Sequence, residues 1–139
     1  MAEVAARAAA ERSGFDPHIA FASAGVEPSA IGAPADPRAV ACVAAAGLDL
    51  SGHRTQAAAT GLLAASHRIV ALDHSVHQQL LDMVADPVTA RVVALMDFAP
   101  SLGVTEVADP WHGNALDYAA AFRLIGAATD GLVARLRTE

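Results

Sequence analysis

Only a few residues of this chain carry groups able to do chemistry, and most are isolated from one another. The single thiol, Cys42, lies between Val40 and Val43 in an apolar stretch. A nucleophilic cysteine needs a neighbouring positive potential to become a thiolate, and here no glycine-rich loop or suitably spaced arginine follows it. It reads as a buried, inert thiol. His74 and His77 stand one helical turn apart with His67 nearby, but no cysteine or carboxylate pattern completes a metal site. No metal and no cofactor is expected. Asp109-Pro110-Trp111-His112-Gly113 concentrates a carboxylate, the only tryptophan and an imidazole within five residues. On spacing alone Asp109-Pro110 is a turn start, and Trp111 serves equally well as a core residue or a contact residue.

Helices and strands must position these groups. Ala2–Arg12 is made of strong helix formers with Val4, Ala5, Ala8 and Ala9 on one face, yet no capping residue precedes it. Residues 18–24 alternate in the manner of a short strand, with Ile19 and Phe21 against smaller residues. Asp36-Pro37 opens a helix running through Val40 and Val43 to Gly47. Leu62–Ala65 forms a weak helical turn, and Arg68–Leu72 is a buried strand that Asp73 ends, capping a helix with Val76, Leu80 and Val84. Asp86-Pro87 breaks that helix, Val92–Met96 is the next strand, and Tyr118, Phe122, Ile125, Leu132 and Leu136 mark the apolar face of a final helix. Strands separated by helices predict an α/β fold of three layers, a parallel sheet flanked by helices, with its site at the carboxyl ends of the strands.

Composition narrows the function classes. The 139 residues suffice for one domain, and a net charge of -6 provides no basic surface for nucleic acid. Charges or histidines interrupt every apolar run, so no membrane span is expected. One cysteine and no basic-then-apolar leader make a cytoplasmic protein the default.

Several short stretches then fall into register with one family. Ser23-Ala24-Gly25, Asp36-Pro37-Arg38-Ala39-Val40, Gly47 to Arg54, Val70 to Asp73, Leu95 to Pro100 and Asp109 to Gly113 resemble the low-molecular-weight protein tyrosine phosphatases in wording and order. The resemblance implies hydrolysis of phosphotyrosine proteins or small aryl phosphates through a phosphocysteine. Asp109 takes the place of the general acid, a role that a carboxyl with a raised pKa fills best and that desolvation beside Trp111 would favour. Trp111 and His112 match positions flanking the substrate ring, and His112 departs from the usual aromatic. Ser23 and His53 match residues that support the phosphate-binding loop.

That loop, a Cys, five residues, an Arg and then Ser or Thr, does not occur in this sequence. The family wording after it continues into Met1-Ala2-Glu3, so the expectation is a single domain, 1–139, truncated at its N-terminus and lacking the family's first, interior strand. Residues 18–24 would then either pair directly with Arg68–Leu72 or leave the chain loosely folded, and an exposed sheet edge would permit a homo-oligomer. The chain as given would be inactive. Two alternatives stand beside this, a noncatalytic pseudophosphatase binding module and an arsenate reductase of the same fold, the second disfavoured by the lone Cys42.

Overall fold

A computed structural model describes residues 1–14 and 19–139. Five α-helices are present among them: α1 (Ala2–Arg12), α2 (Pro37–Ala44), α3 (Thr60–Ala65), α4 (His74–Met83) and α5 (Ala115–Leu136). Strands β1 (Ile69–Ala71) and β2 (Val92–Ala94) pair in parallel, in the register Ile69 to Val92, Val70 to Val93 and Ala71 to Ala94. Short 3-10 turns carry much of the rest, including Leu95–Phe98 and Pro110–His112.

The helix starts follow from side-chain capping. Asp36 accepts from the Arg38 amide ahead of α2, and Asp73 accepts from the Val76 amide ahead of α4. Each carboxylate satisfies a backbone N–H that has no partner within its own helix. At α5 the cap is reciprocal: Asn114 accepts from Leu116 and Asp117 amides while Asp117 accepts from the Asn114 amide.

Period-two alternation in β1 divides the core into layers. Ile69 and Ala71 face a cluster with Ala58, Leu63, Leu80 and Val92, so α3 and α4 cover that side. Val70 and Leu72 pack on the opposite cluster, in which Ala5 of α1 meets Ala121, Ile125 and Ala128 of α5 above Leu95 and Met96. The fold is thus a parallel sheet flanked by helices. A third cluster of Ala39, Val43, Leu50 and Tyr118 joins α2 to the start of α5, with Met1 and Val4 against it.

The strand expected at residues 18–24 requires correction. His18 lies outside the described residues, and Ile19–Ala24 form neither a strand nor a ladder with β1. One isolated parallel bridge, Gly25 to Ala57, is made at the end of the segment. The alternation is real as burial, since Phe21 and Ser23 are half-buried between exposed neighbours. Its carbonyls, however, find side chains: Phe21 accepts from Arg7 and Ser23 accepts from Gln56. Alternating burial against α1 gives the strand-like pattern without strand pairing. Smaller differences concern ends, with α2 stopping at Ala44 rather than Gly47 and β2 at Ala94, after which the chain tightens into a 3-10 turn.

Candidate functional site

Five of the residues singled out in the sequence, Asp109, Trp111, His112, Ser23 and His53, fall into two groups beside one core cluster. The first is the turn from Asp109 to Gly113. Asp109 caps it by accepting from the Trp111 amide at 3.0 Å, and the Gly113 amide closes it on the Pro110 carbonyl at 2.8 Å. Asp109, Trp111 and His112 are all exposed. Trp111 retains 55% of its surface, which removes the core-packing alternative. Asp109 is thus exposed rather than buried beside the indole, and its carboxylate holds a backbone N–H.

A residue without an assigned role in the sequence organises this turn. Arg38 forks onto Asp36, Nε to Oδ1 at 3.0 Å and Nη2 to Oδ2 at 2.8 Å, and donates from Nη1 to the Gly113 carbonyl at 3.0 Å. Its guanidinium carbon lies 4.9 Å from the centre of the Tyr118 ring and 5.7 Å from that of Trp111. Donation from the Arg38 side chain, then from its amide, holds the Asp36 carboxyl down at a pKa of about 2. Burial, with Asp36 adding to it, pushes the Tyr118 hydroxyl up. The Asp-Pro-Arg spacing was the available signal, because a capping Asp two residues before an Arg can bind the side chain as well as the amide.

The second group centres on Glu3, another residue the sequence left unassigned. Ser23 donates from its hydroxyl to Glu3 Oε2 at 2.5 Å, Arg7 donates to Oε1 at 2.6 Å, and His53 lies close enough to act on the same carboxylate. Partial burial works to raise the Glu3 pKa, but the Ser23 hydrogen bond and the Arg7 charge outweigh it and the carboxyl sits below its usual range. Ser23 is thereby tied to α1, and the His53 charge acts on the same carboxylate without a hydrogen bond to it among the described residues. The two groups border the same cluster, since Met1 at the start of α1 and Tyr118 both pack there.

Cys42 belongs to neither group. It is half-buried on α2 at the edge of that cluster, and burial pushes its thiol pKa up. The residue six positions on is Leu48, not an arginine. Among the described residues, no group of three or more His, Cys, Asp or Glu side chains could hold a metal ion, and no helix is long and apolar enough to cross a membrane. His74 instead meets Glu106 at 3.3 Å.

Comparison with known proteins decides the family. The model of the family described as low molecular weight phosphotyrosine protein phosphatase matches residues 1–139. The chain belongs to this family. Among curated proteins none matches it. Three solved phosphatase-fold structures illustrate the likeness. A protein tyrosine phosphatase of Entamoeba histolytica aligns with TM-score 0.94 at 20% identity, covering 99% of this chain and 87% of that one. YfkJ of Bacillus subtilis aligns with TM-score 0.89 at 23% identity over 99% and 85%. YwlE of Bacillus subtilis, described as an arginine phosphatase, aligns with TM-score 0.85 at 23% identity over 98% and 88%. At such identities the likeness is one of fold, and the range of substrates in those names means that the fold of a low molecular weight phosphatase does not itself select one.

Proposed function

We propose that these 139 residues carry the leaving-group side of a site for aryl phosphate monoesters, phosphotyrosine among them. Asp109 would donate a proton to the departing phenolate oxygen as the P–O bond breaks, the phosphoryl group passing to a nucleophile that these residues do not supply. Trp111 and His112 flank the aryl ring. Ser23, held by Glu3, and His53 border the place of the phosphate. The observation that carries this reading is the joint exposure of the Asp109 carboxylate and the Trp111 ring on one five-residue turn. An acid and a flat apolar face on one turn suit an aryl leaving group.

The nucleophilic step has no agent in this chain. A phosphate-binding loop combines helix N-terminal amides with a low-pKa cysteine and an arginine fork. Cys42 has the opposite electrostatics, with its pKa raised by burial within a helix. The 139-residue chain alone is therefore inactive as a hydrolase. The same fact favours a second reading, a noncatalytic module that binds phosphorylated aryl groups. Arsenate reduction gains no support, because passing on a disulfide needs further thiols.

Two measurements on the purified chain test these statements. With p-nitrophenyl phosphate, no p-nitrophenolate release above that of Asp109→Asn is expected, and turnover of about 1 per second or more would overturn the inactivity. Titration with phenylphosphonate should change Trp111 fluorescence to saturation, with phosphoarginine producing no such change. A silent tryptophan in the first titration removes the aryl site. Joining a β-strand followed by a Cys-x5-Arg-Ser loop ahead of Met1 separates the two readings, since a phosphatase site regains turnover and a binding module does not.

A further inference from the structure

Arg38 is used more completely than any ordinary surface arginine. Its amide and its side chain share the Asp36 carboxylate, so the guanidinium is folded back over the start of α2 with its plane fixed by two parallel bonds. Nη1 is left to reach across to the Gly113 carbonyl. The guanidinium also lies over Tyr118, which is 3% exposed, and over Trp111. One side chain thereby joins α2, the Asp109–Gly113 turn and the first turn of α5.

The turn needs such a tie. It is a three-residue 3-10 segment carrying a largely exposed indole, and its internal bonds fix only its own shape, not its placement on the molecule. Half-burial of Pro110 and Gly113 sets part of its placement, and the exposed indole is left to a stationary cation with a donor and a flat face.

We propose that Arg38 is the positioning residue of this turn, holding the Gly113 carbonyl and the Trp111 ring against α2 and, through the bond from the Trp111 amide, setting the direction of the Asp109 carboxylate. The proposal takes its functional meaning from the assignment of Asp109 as acid, but the tie itself is measurable without substrate. Arg38 is not a catalytic residue, since its three guanidinium nitrogens are all engaged. Lysine cannot replace it, because a single ammonium does not make the fork, the stack and the Gly113 bond together.

The test uses the 139-residue protein and its only tryptophan. In the unmodified chain the Arg38 Nε–H should give a resolved 1H–15N signal, shifted upfield by the two rings and slow to exchange. In Arg38→Lys and in Asp36→Asn, with circular dichroism unchanged, Trp111 anisotropy should fall, acrylamide quenching should rise about twofold, and the Trp111 amide proton should move upfield as its bond to Asp109 loosens. An averaged, fast-exchanging Arg38 signal in the unmodified chain would overturn the proposal. So would unchanged Trp111 anisotropy and amide shift in both variants. A failed phenylphosphonate titration leaves all these signals in place, so the function and the positioning role fail separately.

Discussion

A β-carbon placed on Gly113 would stand 2.3 Å from Oδ2 of Asp117. The carboxylate is there because it folds back to accept from the Asn114 amide at 2.7 Å, one half of the reciprocal cap that begins α5. Glycine is required for this close approach and not for a left-handed backbone, since Gly113 has φ of -97°. Gly113→Ala should displace Asp117 and cost about 1 kcal/mol or more, the worth of a helix cap. Thermal melts of Gly113→Ala in the natural and the Asp117→Ala backgrounds check this: the loss should largely vanish in the second, and equal losses would refute the contact.

Two glycines of α5 should respond in opposite directions to the same change. A β-carbon on Gly131 would meet the Phe98 carbonyl oxygen at 2.0 Å, whereas Gly126 has open space at that position. Alanine is the better helix former by about 1 kcal/mol, so Gly126→Ala should raise the melting temperature by a few degrees. Gly131→Ala should lower it despite that gain, because forcing α5 from a rigid backbone carbonyl costs about 1–3 kcal/mol. Equal shifts of one sign would mean that the seat of α5 on the Leu95–Phe98 turn is wrong.

The Asp36 pair contributes to the acid limb of stability. Its folded pKa of about 2 lies below the ordinary 3.8, so its contribution is fully present above pH 4 and is lost as pH falls through 2. Asp36→Asn should flatten the dependence of the melting temperature on pH between 4 and 2, leaving other carboxylates to supply the remainder. An unaltered slope in that window would sink the assignment.

Cys42 should behave as a poor nucleophile. Burial raises its pKa, so alkylation by iodoacetamide at pH 7 should be slower than that of a free thiol and should accelerate only in alkaline solution. Cys42→Ser should leave the phenylphosphonate titration unchanged. Rapid alkylation at neutral pH would return this residue to candidacy as the nucleophile.

Elements whose cause is local were legible in the residues. Asp36-Pro37 and Asp73 start helices by capping, and both do so in the structure. The compact apolar run of Arg68 through Leu72 marked a buried strand, and the two flanking clusters cover both its faces. At 18–24 the alternating pattern misled, because alternation reports burial and a strand also needs a partner backbone. Trp111 was undecidable from its type, since an indole is apolar enough for a core and amphipathic enough for a surface.

Residue order was enough for the course of the helices, the caps at Asp36 and Asp73, the β1–α4–β2 unit, the family wording and the absence of a Cys-x5-Arg stretch, all properties of neighbouring residues along the chain. Packing in three dimensions was needed to show that Glu3 holds Ser23, that Arg38 reaches Gly113 across 75 positions, and that Trp111 faces solvent. These depend on how α1, α2 and α5 pack around Tyr118. Hydrogen bonds and cation–ring contacts are short-ranged in space and indifferent to separation along the chain, so residue order cannot express them until packing has brought their partners together.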